Sequence, residues 1–140
     1  MPFIRIWVHL IWTTKNQEPL ITDNIRPQVF QHIKDNAIQK GIFVDCINGY
    51  QEHVHCLISL SSEQTIDKVV KLMKGESAFW INKNNLSDSY FAWQEEYFAI
   101  SVSESVLSKT RAYIEKQEEH HRNHPFKIER EQFLERYGFN

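Results

Sequence analysis

The chain has 140 residues, of which 41% are hydrophobic and 24% are charged, a balance typical of one folded domain over residues 1–140. Sixteen basic and eighteen acidic residues give a net charge of −2. This excludes the strongly basic class of proteins that bind duplex nucleic acid non-specifically. No apolar run approaches the ~20 residues of a membrane span, and the first residues lack the pattern of a signal peptide. We therefore expect a cytoplasmic protein with no membrane partner.

Cysteine and glycine usage excludes two further kinds of site. Cys46 and Cys56 are ten residues apart and show no zinc-type pairing, so neither a disulfide framework nor a structural zinc site is expected. The four glycines form neither a GxGxxG nor a GxxxxGKS pattern. The sequence therefore predicts no nucleotide cofactor.

The first half of the chain predicts a strand, a helix and two more strands. Residues 3–14 are rich in β-branched and aromatic side chains, as in a strand buried on both faces. A helix follows, with Asp23 or Asn24 as its cap and Gly41 at its end. Strands over 42–48 and 53–60 are joined by a segment with hairpin-turn chemistry.

The second half predicts a helix over 65–82, a strand over 91–102, a helix from about 103 to 120 and a short helix over 126–137. The order β-α-β-β-α-β is that of a ferredoxin-like split βαβ domain of the α+β class. We expect an antiparallel sheet with helices on one face, plus a C-terminal helix that carries Tyr113. A fold of this kind does not by itself indicate an activity.

Two histidines lie two residues apart in the third predicted strand. Side chains alternate across a strand, so His53 and His55 share one face, whereas Val54 and Cys56 face the other. Paired imidazoles can bind a divalent ion, but they need a third ligand from elsewhere. Local hydrogen bonding alone explains the pair equally well. His9, on the first strand, is a candidate neighbour.

Tyr113 and Gln117 are four residues apart in the third predicted helix and therefore share one face of it. A tyrosine hydroxyl can attack phosphorus when its proton is removed and the phosphate is polarised. The amide oxygen of Gln117 suits a hard ion such as Mg²⁺. A core tyrosine without a chemical role is the alternative, and for an isolated helical tyrosine it is the more common case.

Two groups of charged residues have two interpretations each. Lys68, Lys71 and Lys74 recur along one flank of a helix, where they either bind phosphates or form a solvated face. A second group follows Gln117 and is rich in metal-ligand residues, but a solvated helix end is favoured, since histidine near a helix C-terminus is stabilised by the helix dipole. This second group consists of Glu118, Glu119, His120, His121 and His124.

Five segments together resemble the single-tyrosine HUH transposases of the insertion-sequence (IS-two-hundred-like) type, in which two histidines flank one bulky hydrophobic residue. The resemblance covers nearly the whole chain in the right order. The segments are residues 14–21, 52–60 with the motif His53-Val54-His55, 71–77, 93–103 and 113–121.

The resemblance implies an enzyme that cuts and rejoins single-stranded DNA at the ends of a mobile element. Tyr113 would be the nucleophile that forms a 5′-phosphotyrosine link. His53, His55 and Gln117 would hold Mg²⁺ or Mn²⁺. The family also implies a homodimer and recognition of DNA hairpins near the element ends.

Positive charge near the DNA must then be local, because the net charge is negative. The lysine row Lys68, Lys71 and Lys74, together with Arg111, would hold phosphates. Two alternatives remain open: a domesticated, non-catalytic nucleic-acid-binding relative, and an HUH nickase of plasmid or phage replication.

Overall fold

The computed structural model describes residues 2–139. It contains four strands and five α-helices, together with short 3₁₀ turns at Lys15–Gln17 and Glu104–Val106. The strands are β1 (Ile6–Thr14), β2 (Phe43–Gly49), β3 (His53–Leu60) and β4 (Trp93–Val102). The helices are α1 (Arg26–Gln39), α2 (Ile66–Lys83), α3 (Leu107–Glu115), α4 (Gln117–His121) and α5 (Phe126–Arg136).

The strands form one antiparallel sheet in the order β2-β3-β1-β4. The two central strands are therefore β3 and β1, which explains why both consist largely of apolar residues and are buried over most of their length. In their register Ile11 lies opposite His55, and Thr13 opposite His53. The ferredoxin-like arrangement predicted from the element order is confirmed.

Helices cover both faces of the sheet. One face packs against α1 and α2 through the main core, which includes Leu10, Val54 and Met73. The other face packs against the helices after β4, through two smaller clusters that include Ile114 and Phe126. The expected packing of two helices, α1 and α2, on one face of the sheet is observed. The C-terminal helices cover the opposite face, above His53 and His55.

The predicted third helix over residues 103–120 is wrong in its length. The α-helix ends at Glu115, and Lys116, with φ −94° and ψ 10°, separates it from α4. Tyr113 and Gln117 therefore lie on two consecutive helices instead of one. No proline or glycine marks this break, so the sequence gives no local indication of it.

The start of α1 also differs from the prediction. Ile25, which makes no side-chain capping bond, precedes the helix. Asp23 instead accepts a hydrogen bond from Arg26 at 2.7 Å. The helix over 126–137 is confirmed, with Gly138 in the left-handed region at φ 69° directly after its end. Within residues 2–139, no helix combines the length and apolar character needed to cross a bilayer.

Candidate metal centre and nucleophile

His53 and His55 lie side by side on β3 with no exposed surface. Their ring centroids are 5.1 Å apart. Val54 and Cys56, the alternate residues, belong to the main core on the opposite face. The alternation predicted from the sequence is thus confirmed, and it places both imidazoles beneath the C-terminal helices.

Three buried histidines of this region have their Nδ1 atoms tied to neighbouring groups. In each case the Nε2 atom is left to face the interior of one common pocket. The Nδ1 contacts are His53 to Glu52 Oε1 at 2.6 Å, His55 to His9 Nε2 at 2.8 Å and His121 to the carbonyl oxygen of His124 at 2.6 Å.

The inward Nε2 atoms meet oxygen atoms of two further side chains. His53 Nε2 lies 3.0 Å from Gln117 Oε1. His55 Nε2 and His121 Nε2 each lie 2.9 Å from an oxygen of Glu129. The donor atoms of the two strand histidines, His121 and Glu129 all fall within 4.8 Å of one another. We call these five side chains the inner pocket: His53, His55, Gln117, His121 and Glu129.

The donor chemistry of the inner pocket fits a cation. The carboxylate of Glu52 only accepts, so His53 Nδ1 donates to it and, in the neutral ring, Nε2 carries a lone pair. That lone pair faces the amide oxygen of Gln117, which also only accepts. Two facing acceptors repel each other unless a proton or a metal ion lies between them. His121 repeats the arrangement, with Nδ1 donating to a carbonyl and Nε2 facing a carboxylate.

The electrostatics of the pocket favour neutral imidazoles at His55 and His9 and an ionised carboxylate at Glu129. Burial lowers the pKa of His55 to about 4 and that of His9 to about 3, so both are neutral at pH 7. Burial alone would raise the pKa of Glu129, but hydrogen bonds from His121 and His55 outweigh it and lower that pKa. The same Glu129 bond outweighs burial at His121 and raises its pKa.

Tyr113 lies at the edge of the inner pocket of its own chain. Its hydroxyl donates a hydrogen bond to Glu129 Oε2, and its ring centroid lies 5.5 Å from that of His55. Burial, and next the charge of Glu129, raise the pKa of the Tyr113 phenol. With 36% of its surface exposed, the tyrosine lines an open cleft of about 490 Å³ that Lys109 and Arg136 also line.

The structure therefore brings together Tyr113, His53, His55 and Gln117, the four residues assigned from the sequence to the reaction centre. Although it opens a new helix, Gln117 stays close to Tyr113, because its amide nitrogen donates to the Tyr113 carbonyl at 3.3 Å.

The predicted DNA-binding cations lie elsewhere. The three lysines are on α2, which packs on the other face of the sheet. Lys68 is exposed, Lys71 pairs with Asp67 at 2.9 Å, and Lys74 donates to the carbonyl of Gln94. Arg111, on α3, forms a bidentate pair with Asp45.

Sequence reasoning missed His121 and Glu129. The solvated helix end predicted for residues 118–124 is wrong for His121, which is 5% exposed, whereas His120 and His124 are exposed. One pattern could have found Glu129. Phe126 and Phe133 mark the buried face of α5 at a spacing of seven, and Glu129 falls on that face.

The family model for IS200-like transposases matches residues 3–117. The chain belongs to the IS200-like transposase family. A curated relative, the ISDra2 transposase TnpA of Deinococcus radiodurans, is 29% identical over 114 residues, which span 78% of this chain and 81% of the relative. Since the family model ends at residue 117, His121 and Glu129 of this transposase lie beyond the matched region.

Two solved structures share the fold of this IS200-like transposase. A protein from Deinococcus radiodurans R1 with a transposase assignment aligns over 84% of this chain and 94% of its own, with a TM-score of 0.66 and 24% identity. A REP-associated tyrosine transposase, solved bound to a REP hairpin, aligns over 84% of this chain and 67% of its own, with a TM-score of 0.57 and 12% identity.

Proposed function

We propose that this transposase, acting as a single domain over residues 1–140, cleaves and rejoins single-stranded DNA at the ends of an insertion sequence. Tyr113 is the nucleophile. The observation that carries the proposal is the carboxylate of Glu129, which contacts the Tyr113 hydroxyl and the imidazoles of His55 and His121. The proposed nucleophile therefore lies directly beside a pocket whose donor atoms suit a cation.

The cleavage step forms a bond between Tyr113 Oη and the scissile phosphorus and breaks the bond from phosphorus to the 3′ oxygen. The phenol loses its proton, and the departing 3′ oxygen gains one. Glu129 Oε2 already accepts the Tyr113 hydrogen bond, so it is placed to take the phenolic proton. Rejoining is the reverse attack by a 3′-hydroxyl on the 5′-phosphotyrosine, which conserves the bond energy and needs no nucleotide.

His53, His55 and Gln117 hold Mg²⁺ or Mn²⁺ in this proposal. When bound there, the ion acts as a Lewis acid toward the scissile phosphate. The residues around the ligands orient them: Glu52 holds the His53 ring and His9 holds the His55 ring through their Nδ1 atoms, as is usual for histidine ligands.

The DNA partner is a single strand that carries a hairpin. The cleft beside Tyr113 offers Lys109 and Arg136 to phosphates next to the scissile bond. Lys68, Lys71, Lys74 and Arg111 are proposed contacts to phosphates farther along the strand or in the hairpin. The hairpin bound by the REP-associated transposase supports this partner. We also propose a homodimer, which sedimentation velocity tests directly.

The test is a covalent-adduct assay with hairpin-bearing single strands taken from the DNA that flanks the gene. The oligonucleotides carry a 3′ label, because the 5′-phosphotyrosine link retains the downstream fragment. With Mg²⁺ or Mn²⁺ the parent protein is expected to give a labelled adduct on a denaturing gel. Tyr113→Phe abolishes it and keeps DNA binding, whereas Tyr137→Phe, in the same cleft, keeps the adduct.

Two results contradict the proposal. An adduct that persists in Tyr113→Phe assigns the nucleophile to another residue. DNA binding without any adduct in the parent protein identifies a non-catalytic binding module.

A further inference from the structure

The segment after Gln117 supplies two more side chains to the inner pocket. Building on the proposed function, we infer that His121 and Glu129 are metal ligands beside His53, His55 and Gln117. The resulting site has three imidazole nitrogens and takes a divalent transition-metal ion, of the Mn²⁺, Co²⁺ and Zn²⁺ class, in preference to Mg²⁺.

The donor atoms are close enough for one ion. At metal–ligand bonds of about 2.1 Å, ligands on opposite sides of an ion lie about 4 Å apart. The donor atoms of His53, His55, His121 and Glu129 span 4.8 Å at most, so a small contraction brings them to that distance. His121 and Glu129 are 5% and 4% exposed, which makes them part of the pocket interior.

The new ligands are held in place by contacts outside the pocket. The His124 carbonyl accepts from His121 Nδ1 and so turns Nε2 inward. Phe126 stacks on the His53 ring, with centroids 4.4 Å apart and planes 26° apart. Arg130 forms a bidentate pair with Glu96 of β4. The C-terminal segment therefore packs over the strand histidines through contacts that do not depend on a metal.

The donor set determines which ion the site prefers. Mg²⁺ favours oxygen ligands and retains several waters, whereas imidazole nitrogen favours later divalent ions of the first transition row. Two histidines and an amide oxygen leave much of an ion's coordination to water and phosphate. A third histidine and a buried carboxylate occupy coordination positions that water would otherwise take. The added imidazole nitrogen and negative charge raise the affinity of the site most for transition-metal ions.

The test measures metal binding by the full chain, without DNA and without activity. Protein freed of metal with EDTA and dialysed is titrated with Co²⁺, and visible absorption reports the ligand field. We expect a saturable spectrum that millimolar Mg²⁺ does not displace. His121→Ala and Glu129→Gln should each weaken Co²⁺ binding at least tenfold and alter the spectrum. His124→Ala is the control, because it removes an exposed imidazole of the same segment but keeps the backbone carbonyl.

The inference is overturned if folded His121→Ala and Glu129→Gln bind Co²⁺ like the parent, or if Mg²⁺ displaces Co²⁺ at equal concentration. His53→Ala distinguishes this failure from that of the proposed function. If His53→Ala loses Co²⁺ binding, the proposed ligand set of His53, His55 and Gln117 stands even when His121 and Glu129 prove not to be ligands. If His53→Ala binds Co²⁺ like the parent, both the proposed ligand set and its extension are contradicted. Near-UV circular dichroism checks folding, and nearly isosteric Glu129→Gln decides the case if His121→Ala does not fold.

Discussion

The hydroxyl of Tyr113 on α3 donates a hydrogen bond to the carboxylate of Glu129 on α5. The bond fixes the phenol at the mouth of the inner pocket, because Glu129 is itself held by His55 and His121. The position of the proposed nucleophile thus depends on a helix that lies beyond the residues matched by the family model.

Glu129→Gln should slow DNA cleavage by about 100-fold or more at saturating metal and DNA, because a proton acceptor near the nucleophile typically contributes 10²-fold or more. The amide keeps the size of the side chain but cannot take the phenolic proton. Single-turnover adduct formation measures the rate, and filter binding confirms that DNA affinity is retained. A Glu129→Gln protein that cleaves at the parent rate removes Glu129 from the reaction.

His53→Ala and His55→Ala should abolish metal-dependent cleavage, and Gln117→Ala should reduce it only partly, because water can replace one amide oxygen. Adduct yield against Mn²⁺ concentration measures all three variants. The control is His32→Ala, since His32 stacks on Trp80 and bonds to Glu76 on the α1 and α2 side of the sheet. If His53→Ala or His55→Ala retained cleavage, the two histidines would have a structural role only.

Gly49→Ala should destabilise the protein by about 2 kcal/mol or more, because overpacking against fixed atoms is costly. A Cβ at residue 49 would lie 2.1 Å from the carbonyl oxygen of His53, which is backbone and cannot turn aside. The shift needed to relieve the clash also displaces His53. Urea unfolding measures the stability, and Co²⁺ binding reports whether His53 is displaced.

Gly75→Ala is the matched control for that substitution. Nothing lies within 4 Å of a Cβ at this interior position of α2, so alanine should stabilise the helix by about 0.5–1 kcal/mol. Equal stabilities of the two variants would contradict the close approach at Gly49.

Lys109→Ala and Arg136→Ala should each weaken binding of single-stranded DNA and reduce the slope of log affinity against log salt by about 0.7. Both side chains line the cleft beside Tyr113. Fluorescence anisotropy over a salt series measures the slope. Lys68→Ala and Lys71→Ala, on the opposite face of the sheet, are compared with them in the same salt series, with a hairpin-bearing strand as the DNA. A slope that changes only in the α2 variants would place the single strand away from the cleft.

The strand half of the site could be predicted from the sequence, because it follows from local periodicity. Alternation along β3 is enough to place His53 and His55 on one face. The sequence made His9 only a candidate neighbour, and the pairing of β1 with β3 brings it to His55. The fold followed from the same reasoning, since each strand and each of the first two helices has its own pattern of apolar residues.

The helical half could not be predicted fully, because it depends on how separate helices pack. The break at Lys116 has no local marker, and the burial of His121 depends on the turn that returns α5 to the sheet. His120 and His121 are adjacent and chemically identical, yet only the second is buried, whereas His120 stays exposed with its Nε2 3.8 Å from Glu129 Oε2. Composition alone could not distinguish them.

The central claim is that Tyr113 becomes covalently linked to DNA, and peptide mass spectrometry of the trapped adduct tests it most directly. After nuclease and protease digestion, we expect the peptide that contains Tyr113 to carry a nucleotide 5′-phosphate on that residue. A nucleotide found on Tyr137 or another residue, or no modified peptide from protein that binds and cleaves the strand, would contradict the account.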